Sequence, residues 1–271
     1  MSSVTSSLRG RVLIIAGSDS GGGAGVQADI KAVTAMGGYA ATAITAITVQ
    51  NTLGVHGVHP LPLDLIEAQA RAVLDDIGAD AVKTGMLGSV AVVERIAAIL
   101  DTTGAPAVVD PVMIAKGGAS LLDDNAVEAV KTLMVPRAAI LTPNAPEAEA
   151  LTGLVVADLD GQRRAGEALL ALGARAVLMK GGHVEGPTVV DLLLTSTGET
   201  LLEGPRIDTT STHGTGCTLA SAVAAGLAQG WPIETAVAEA WAYVSEAIRR
   251  APGLGAGHGP LDHGWTLRDR P

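Results

Sequence analysis

Phenylalanine is absent from the 271-residue sequence, and Trp231, Trp241, Trp265, Tyr39 and Tyr243 are its only aromatic side chains. A hydrophobic core must therefore be packed from Ala, Val, Ile and Leu. Cysteine occurs once, as Cys217, which excludes an internal disulfide and a cysteine-based zinc site and leaves nothing that points to secretion. Basic side chains are few: 18 Lys and Arg against 28 Asp and Glu give a formal net charge of -10. That balance argues against a nucleic-acid binder, which needs a clustered basic surface. An anionic substrate stays open, because backbone N–H groups bind phosphate without net positive charge. Long apolar runs are also missing. The stretch 1–11 is polar and Ser-rich, and Val12 to Ala16 is too short for a signal-peptide core or a membrane span. The expectation is a soluble, cytoplasmic protein.

What is present is a chain with 48% apolar and 17% charged residues, incompatible with disorder. Short apolar runs alternate with helical patterns. Strands are expected at Val12–Ala16, Ala40–Val49, Ala81–Lys83, Ala107–Val109, Ala138–Leu141, Ala176–Met179 and Thr188–Leu194. Helices are expected at Ala28–Met36, Leu63–Ile77, Val90–Leu100, Asn125–Met134, Arg163–Leu172, Gly216–Gln229 and Ile233–Arg250. This alternation signals a mainly parallel sheet covered on both faces by helices. With no internal repeat or linker, residues 1–271 read as one domain with 1–10 as a flexible tail, and the chain after Ala251 reads as irregular. In such folds ligands bind at the carboxyl ends of the strands.

The 34 glycines cluster at those ends. After the first strand comes Gly17-Ser18-Asp19-Ser20-Gly21-Gly22-Gly23-Ala24-Gly25. It lacks the Lys of a Walker A loop. Gly23 to Ala28 fits a dinucleotide pattern, yet no acidic residue lies between Asp29 and Asp64 to hold a ribose. A nicotinamide or flavin enzyme is therefore disfavoured. The second cluster, His213-Gly214-Thr215-Gly216-Cys217-Thr218, opens an Ala-rich helix. Its first-turn N–H groups would favour a transferring phosphoryl group. Cys217 sits where a thiol pKa tends to fall, and could accept a proton from a substrate hydroxyl; a buried apolar cysteine is the alternative. Asp110, Asn144 with Glu147, and Lys180 fall at further strand ends. Oxygen ligands of this kind suit Mg²⁺ carried by nucleotide phosphates, and a lysine suits the phosphates. His56, His59, His258 and His263 show no zinc spacing and read as loop residues.

Together, Ala16 to Asp29, Gln50-Asn51-Thr52, Lys83-Thr84-Gly85-Met86-Leu87, Asp110-Pro111-Val112-Met113, Thr142-Pro143-Asn144, Lys180-Gly181-Gly182-His183 and His213 to Leu219 resemble the hydroxymethylpyrimidine/phosphomethylpyrimidine kinases of thiamine biosynthesis. The resemblance runs over about residues 11 to 263. It implies a three-layer α/β/α ribokinase-like fold, a homodimer, and ATP- and Mg²⁺-dependent phosphorylation of a hydroxymethyl group and then of the monophosphate. It further implies that Gln50, Asp29 and the backbone at Gly17 hold the pyrimidine, with Met86 and Val112 against the ring. Gly214, Gly216 and Cys217 would form the anion hole, and Cys217 would stand where related sugar kinases carry an aspartate base. Lys180, Asn144 and Thr215 would serve ATP, Asp110 and Glu147 would organise Mg²⁺, and Lys116 would close over the phosphates. Thr48-Val49 departs from the small apolar residues expected before Gln50, so a Thr48 facing the ring would alter which pyrimidine fits. A pyridoxal-type kinase of the same fold and a catalytically silent pyrimidine sensor are the competing readings. The intact phosphoryl-transfer residues speak against the sensor.

Overall fold

The computed structural model describes residues 10–113 and 124–268. Its strands are β1 (Arg11–Ser18), β2 (Tyr39–Asn51), β3 (Gly54–Pro60), β4 (Ala81–Thr84), β5 (Ala107–Val109), β6 (Ala138–Leu141), β7 (Ala176–Met179), β8 (Thr188–Thr195) and β9 (Gly198–Pro205). They form one nine-stranded sheet in the order β3-β2-β1-β4-β5-β6-β7-β8-β9. From β2 to β7 every neighbouring pair is parallel, while β3, β8 and β9 join antiparallel at the two edges. The tail expected at 1–10 lies outside the described residues except for Gly10, and so does Lys116.

Strand alternation feeds two cores. Leu13 and Ile15 of β1 face one cluster, and Val12, Ile14 and Ala16 face the other. The first is covered by α2 (Leu63–Asp76), α3 (Val90–Thr103), α4 (Asp124–Ala129), α5 (Ala145–Thr152) and α6 (Leu159–Ala171). The second is covered by α1 (Gly25–Ala35), α7 (Thr215–Ala228) and α8 (Ile233–Arg249). This is the three-layer arrangement expected from the alternating pattern. The lack of phenylalanine shows in α7, where Ala220, Ala222, Val223, Ala224 and Ala225 are fully buried; small side chains let it lie close to the sheet, α1 and α8. Among the described residues, no helix is long and apolar enough to cross a membrane.

Three local differences have physical causes. Strands β3 and β9 escape the apolar-run criterion because both are largely exposed edges carrying Gly, Pro and polar residues. His56 and His59 accordingly sit on a strand and not in a loop. The 125–134 pattern is not one α-helix: α4 passes into a π-turn at Val130–Met134 and a short 3₁₀ segment carrying Pro136. The chain after Ala251 is irregular apart from the single-turn α9 (Trp265–Arg268), but it is anchored. Tyr243 Oη donates to the His263 carbonyl (2.8 Å), and His213 N donates to the Gly259 carbonyl (3.1 Å).

One ion pair joins the layers. Lys83, on β4 and fully buried, donates to both carboxylate oxygens of Asp29 on α1, each at 2.9 Å. Ser221 Oγ of α7 donates to Asp29 Oδ1 (2.8 Å). Burial opposes the ammonium charge, but Asp29 at contact distance outweighs it and holds Lys83 firmly protonated. Removing one partner strands the other charge in the core. Asp29→Ala should therefore cost about 3–5 kcal/mol, read from urea unfolding; a loss below about 1 kcal/mol would show that the pair does not clamp these elements.

Candidate active site

A cleft of about 820 Å³ opens over the carboxyl ends of the parallel strands. Five of the six parallel strands deliver a polar residue to it as their ladders end: Ser18 from β1, Gln50 from β2, Asp110 after β5, Asn144 after β6 and Lys180 after β7.

One end of the cleft is built by the Gly-rich loop. Its N–H groups look available for phosphate, but the chain fills that cradle itself. Asp19 accepts from Gly21 N (2.8 Å), Gly23 N (3.0 Å) and Ala24 N (2.8 Å), and its Oδ2 lies 2.9 Å from His213 Nε2. Burial pulls the Asp19 carboxyl upward, but His213 and the backbone donors outweigh it and leave its pKa below the usual range. The loop is also stitched to β2, since Ser20 Oγ donates to the Gln50 carbonyl (2.7 Å) and accepts from Gln50 N (2.8 Å). Met86 packs where a Cβ on Gly17 would fall, 2.3 Å from its Cε. Gly17, Gln50, Met86 and Val112 thus all line this end. Asp29 does not. It lies beneath, with no exposed surface and its carboxylate committed to Lys83 and Ser221, so the expected contact of Asp29 with a pyrimidine is replaced by a supporting one.

The middle of the cleft is the N-terminus of α7. Gly214 adopts φ +81°, and a Cβ there would fall 1.8 Å from the Gly23 carbonyl oxygen. Only glycine suits that position. Gly214 also accepts from Thr218 N (2.9 Å) and Thr218 Oγ1 (2.8 Å). Thr215 Oγ1 is turned back onto the Thr212 carbonyl (2.8 Å). A Cβ on Gly216 would lie 2.9 Å from Lys180 Nζ, so its absence lets the lysine approach the helix start. The half-buried Cys217 follows in the same turn. The expectation of a lowered thiol pKa is not met. Burial, with Asp29 and Asp110 adding to it, pushes the thiol up to about 12, and the nearby Lys83 only partly offsets this.

The far end carries the charges. Lys180 Nζ donates to Asp110 Oδ1 (2.8 Å) and stands 3.6 Å from Glu147 Oε2. Thr142 Oγ1 also donates to Asp110 Oδ1 (3.1 Å). Asn144 and Glu147 form a reciprocal cap at the start of α5: the Asn144 side chain accepts from Glu147 N (2.9 Å), and Glu147 Oε2 accepts from Asn144 N (2.8 Å). Burial raises the Glu147 carboxyl to about 7 despite Lys180. The Lys180 ammonium, opposed by burial but favoured more strongly by Asp110 and Glu147, is held protonated. Asp191 of β8, raised by burial to about 6, accepts from Gly181 N (2.6 Å) and pins the turn that aims Lys180. Among the described residues, no group of three or more His, Cys, Asp or Glu side chains forms a closed metal cage.

Every described candidate except Asp29 therefore lines one cleft. The sequence reading gave no role to Asp19, Lys83, His213 or Asp191. Lys83 had a signal, since a lysine inside the buried run Ala81-Val82-Lys83 demands an anionic partner. So did Asp19, an acid set within a run of free N–H donors.

The phosphomethylpyrimidine kinase family model matches residues 19–262. The chain belongs to the phosphomethylpyrimidine kinase family. It is 52% identical over 256 residues to the hydroxymethylpyrimidine/phosphomethylpyrimidine kinase of Streptomyces coelicolor, covering 94% of this chain and 95% of that one. It is 50% identical to the thiamine biosynthesis bifunctional protein ThiED of Geobacter sulfurreducens, covering 96% of this chain and 54% of that larger one. Among solved structures, the ADP complex of Bacillus subtilis pyridoxal kinase matches with a TM-score of 0.89 and 37% identity, over 97% of this chain and all of that one.

The site makes a direct statement about its one thiol. With burial raising it to about 12, the alkylation rate of Cys217 by iodoacetamide should climb steadily from pH 7 to 9.5. A plateau below pH 9 would show a thiolate already formed.

Proposed function

We propose that this protein transfers the γ-phosphoryl group of ATP to the hydroxymethyl group of 4-amino-5-hydroxymethyl-2-methylpyrimidine, and then to the resulting monophosphate, in thiamine biosynthesis. The observation that carries this is the polarity of the cleft. An amide, Gln50, marks one end, where the Asp19 carboxylate is already committed to three backbone N–H groups and His213; Lys180, Asp110 and Glu147 mark the other, with the α7 N-terminus between them. A neutral heterocycle suits the first end and a polyphosphate the second. The family membership supports the pyrimidine substrate, and the ADP-bound pyridoxal kinase supports the use of ATP. The amide offers one donor and one acceptor to an aminopyrimidine edge, and Met86 and Val112 supply the apolar walls.

Phosphoryl transfer depends mainly on positioning and charge stabilisation. Here the α7 N–H groups and Lys180 face the position where negative charge gathers. Mg²⁺ binds through one or two carboxylates plus phosphate oxygens, and the paired carboxylates of Asp110 and Glu147 fit that donor set. Asp110 and Glu147 would hold the ion, which would supply positive charge beside the phosphates and so also favour the ionised form of Glu147. Cys217 is a protonated thiol near neutral pH and serves the anion hole by its shape. In the first transfer the attacking oxygen is a hydroxyl; in the second it belongs to a phosphate with a second pKa near ~6, already ionised. The resemblance further supports a cytoplasmic homodimer.

Turnover of ATP should be measured with the hydroxymethylpyrimidine, its monophosphate and pyridoxal, products being identified by mass. Mono- and diphosphates of the pyrimidine are expected; phosphorylation of pyridoxal alone would overturn the assignment. Cys217→Ala should slow both pyrimidine transfers by similar factors. A loss of about 10²-fold or more confined to the first transfer would instead make the thiol its proton acceptor.

A further inference from the structure

The Gln50 side chain lies between two polar groups: its Oε1 stands 3.2 Å from Thr48 Oγ1 and its Nε2 stands 3.2 Å from His213 Nε2, and the protons on those neighbours favour the amide turned over, with nitrogen toward Thr48 and oxygen toward His213. The two ends of an amide are nearly the same size, so the protons on its neighbours decide which end faces which.

Those protons are fixed from outside. Asp19 is held ionised by three backbone N–H groups, and its Oδ2 lies 2.9 Å from His213 Nε2. That nitrogen must therefore carry a hydrogen and donate it to the carboxylate, in the neutral ring and the imidazolium alike. An amide –NH₂ turned toward it would set donor against donor, so the Gln50 oxygen faces His213. At the other end, the Thr48 hydroxyl has a single hydrogen, and it donates this to the Ser18 carbonyl (2.7 Å). Toward Gln50 the hydroxyl can only accept, which demands the amide nitrogen. The two neighbours, fixed independently, require the same orientation. Thr48 is itself buried, so its hydroxyl has no competing bond to bulk water.

We infer that Thr48 and His213 are specificity-determining positioning residues, which lock the Gln50 amide in one orientation and so select a 4-amino over a 4-oxo pyrimidine. This rests on the pyrimidine-kinase reading above. A locked amide presents its remaining lone pair and its remaining N–H in a fixed order. The 4-amino ring offers an exocyclic N–H beside an unprotonated ring nitrogen, which one amide face meets with two hydrogen bonds. The 4-oxo ring offers a carbonyl beside a ring N–H and needs the amide reversed. Turning the ring over instead is no remedy, because the hydroxymethyl group must point toward Gly214–Cys217. The departure noted at Thr48 thus shapes the choice of ring through Gln50.

The test compares kcat/KM for the 4-amino substrate and its 4-oxo analogue in wild type, Thr48→Val and Thr48→Ser. Wild type should prefer the amino ring by about a hundredfold or more, as two mispaired hydrogen bonds imply. Thr48→Val keeps the shape without the acceptor and should shrink the ratio about tenfold, whereas Thr48→Ser should keep it. A wild type that phosphorylates both rings equally, or a folded Thr48→Val with the wild-type ratio, overturns the lock while leaving the kinase reading intact. Should Thr48→Val fail to fold, Thr48→Ala serves with the same two outcomes. A wild type that phosphorylates neither ring overturns the kinase reading and the lock with it.

Discussion

Lys83 brings a full positive charge into the core, and Asp29 and Ser221 answer it there. Desolvating two charges is worthwhile only when geometry is tight and the remaining oxygens are bonded, and both conditions hold. The consequence reaches beyond the pair. Asp29 belongs to α1 and Ser221 to α7, the helices whose first residues, Gly25 and Thr215, line the cleft. Lys83 belongs to β4, whose next residues, Gly85 and Met86, form another part of the wall. Fixing these three elements at one point fixes the spacing of the Gly-rich loop, the apolar wall and the turn that opens α7. A hydrophobic contact would resist separation but not sliding; a bidentate ion pair resists both.

The parallel centre of the fold was legible in the sequence because its strands are short, apolar and buried, as in Val12–Ala16 and Ala176–Met179. The edges were not, because β3 and β9 trade apolar residues for Gly, Pro and charge, the features that keep an exposed strand from pairing with another chain. In the site, strand ends pointed to Asp110 and Lys180, the glycine-rich helix start to Cys217, and the family resemblance to Gln50, and all four line one cleft. What the motifs could not reveal was pairing across the chain. Asp19 and His213 are 194 residues apart, as Asp29 and Ser221 are 192. The loop that reads as a phosphate cradle is occupied by its own aspartate, and the acid that reads as a ligand contact is spent on a lysine. In both cases the residue type was informative and its partner was not visible.

The two ends of the cleft differ in what they ask of water. At the end marked by Gln50, polar contacts run in series from the Ser18 carbonyl through Thr48, Gln50 and His213 to Asp19. At the end marked by Lys180, Glu147 and Asp191 are buried carboxyls that desolvation raises to about 7 and about 6. One end is a network of neighbouring polar groups; the other gathers carboxylates around one lysine.

The irregular stretch after Ala251 has its own implication. Gly259 accepts from His213 N, Pro260 bridges to His213, and His263 Nε2 lies 2.9 Å from Thr218 Oγ1. The turn that opens α7 is thus buttressed by segments that follow the whole sheet in chain order. Its geometry therefore depends on an irregular stretch that lies outside the strands and the helices covering them.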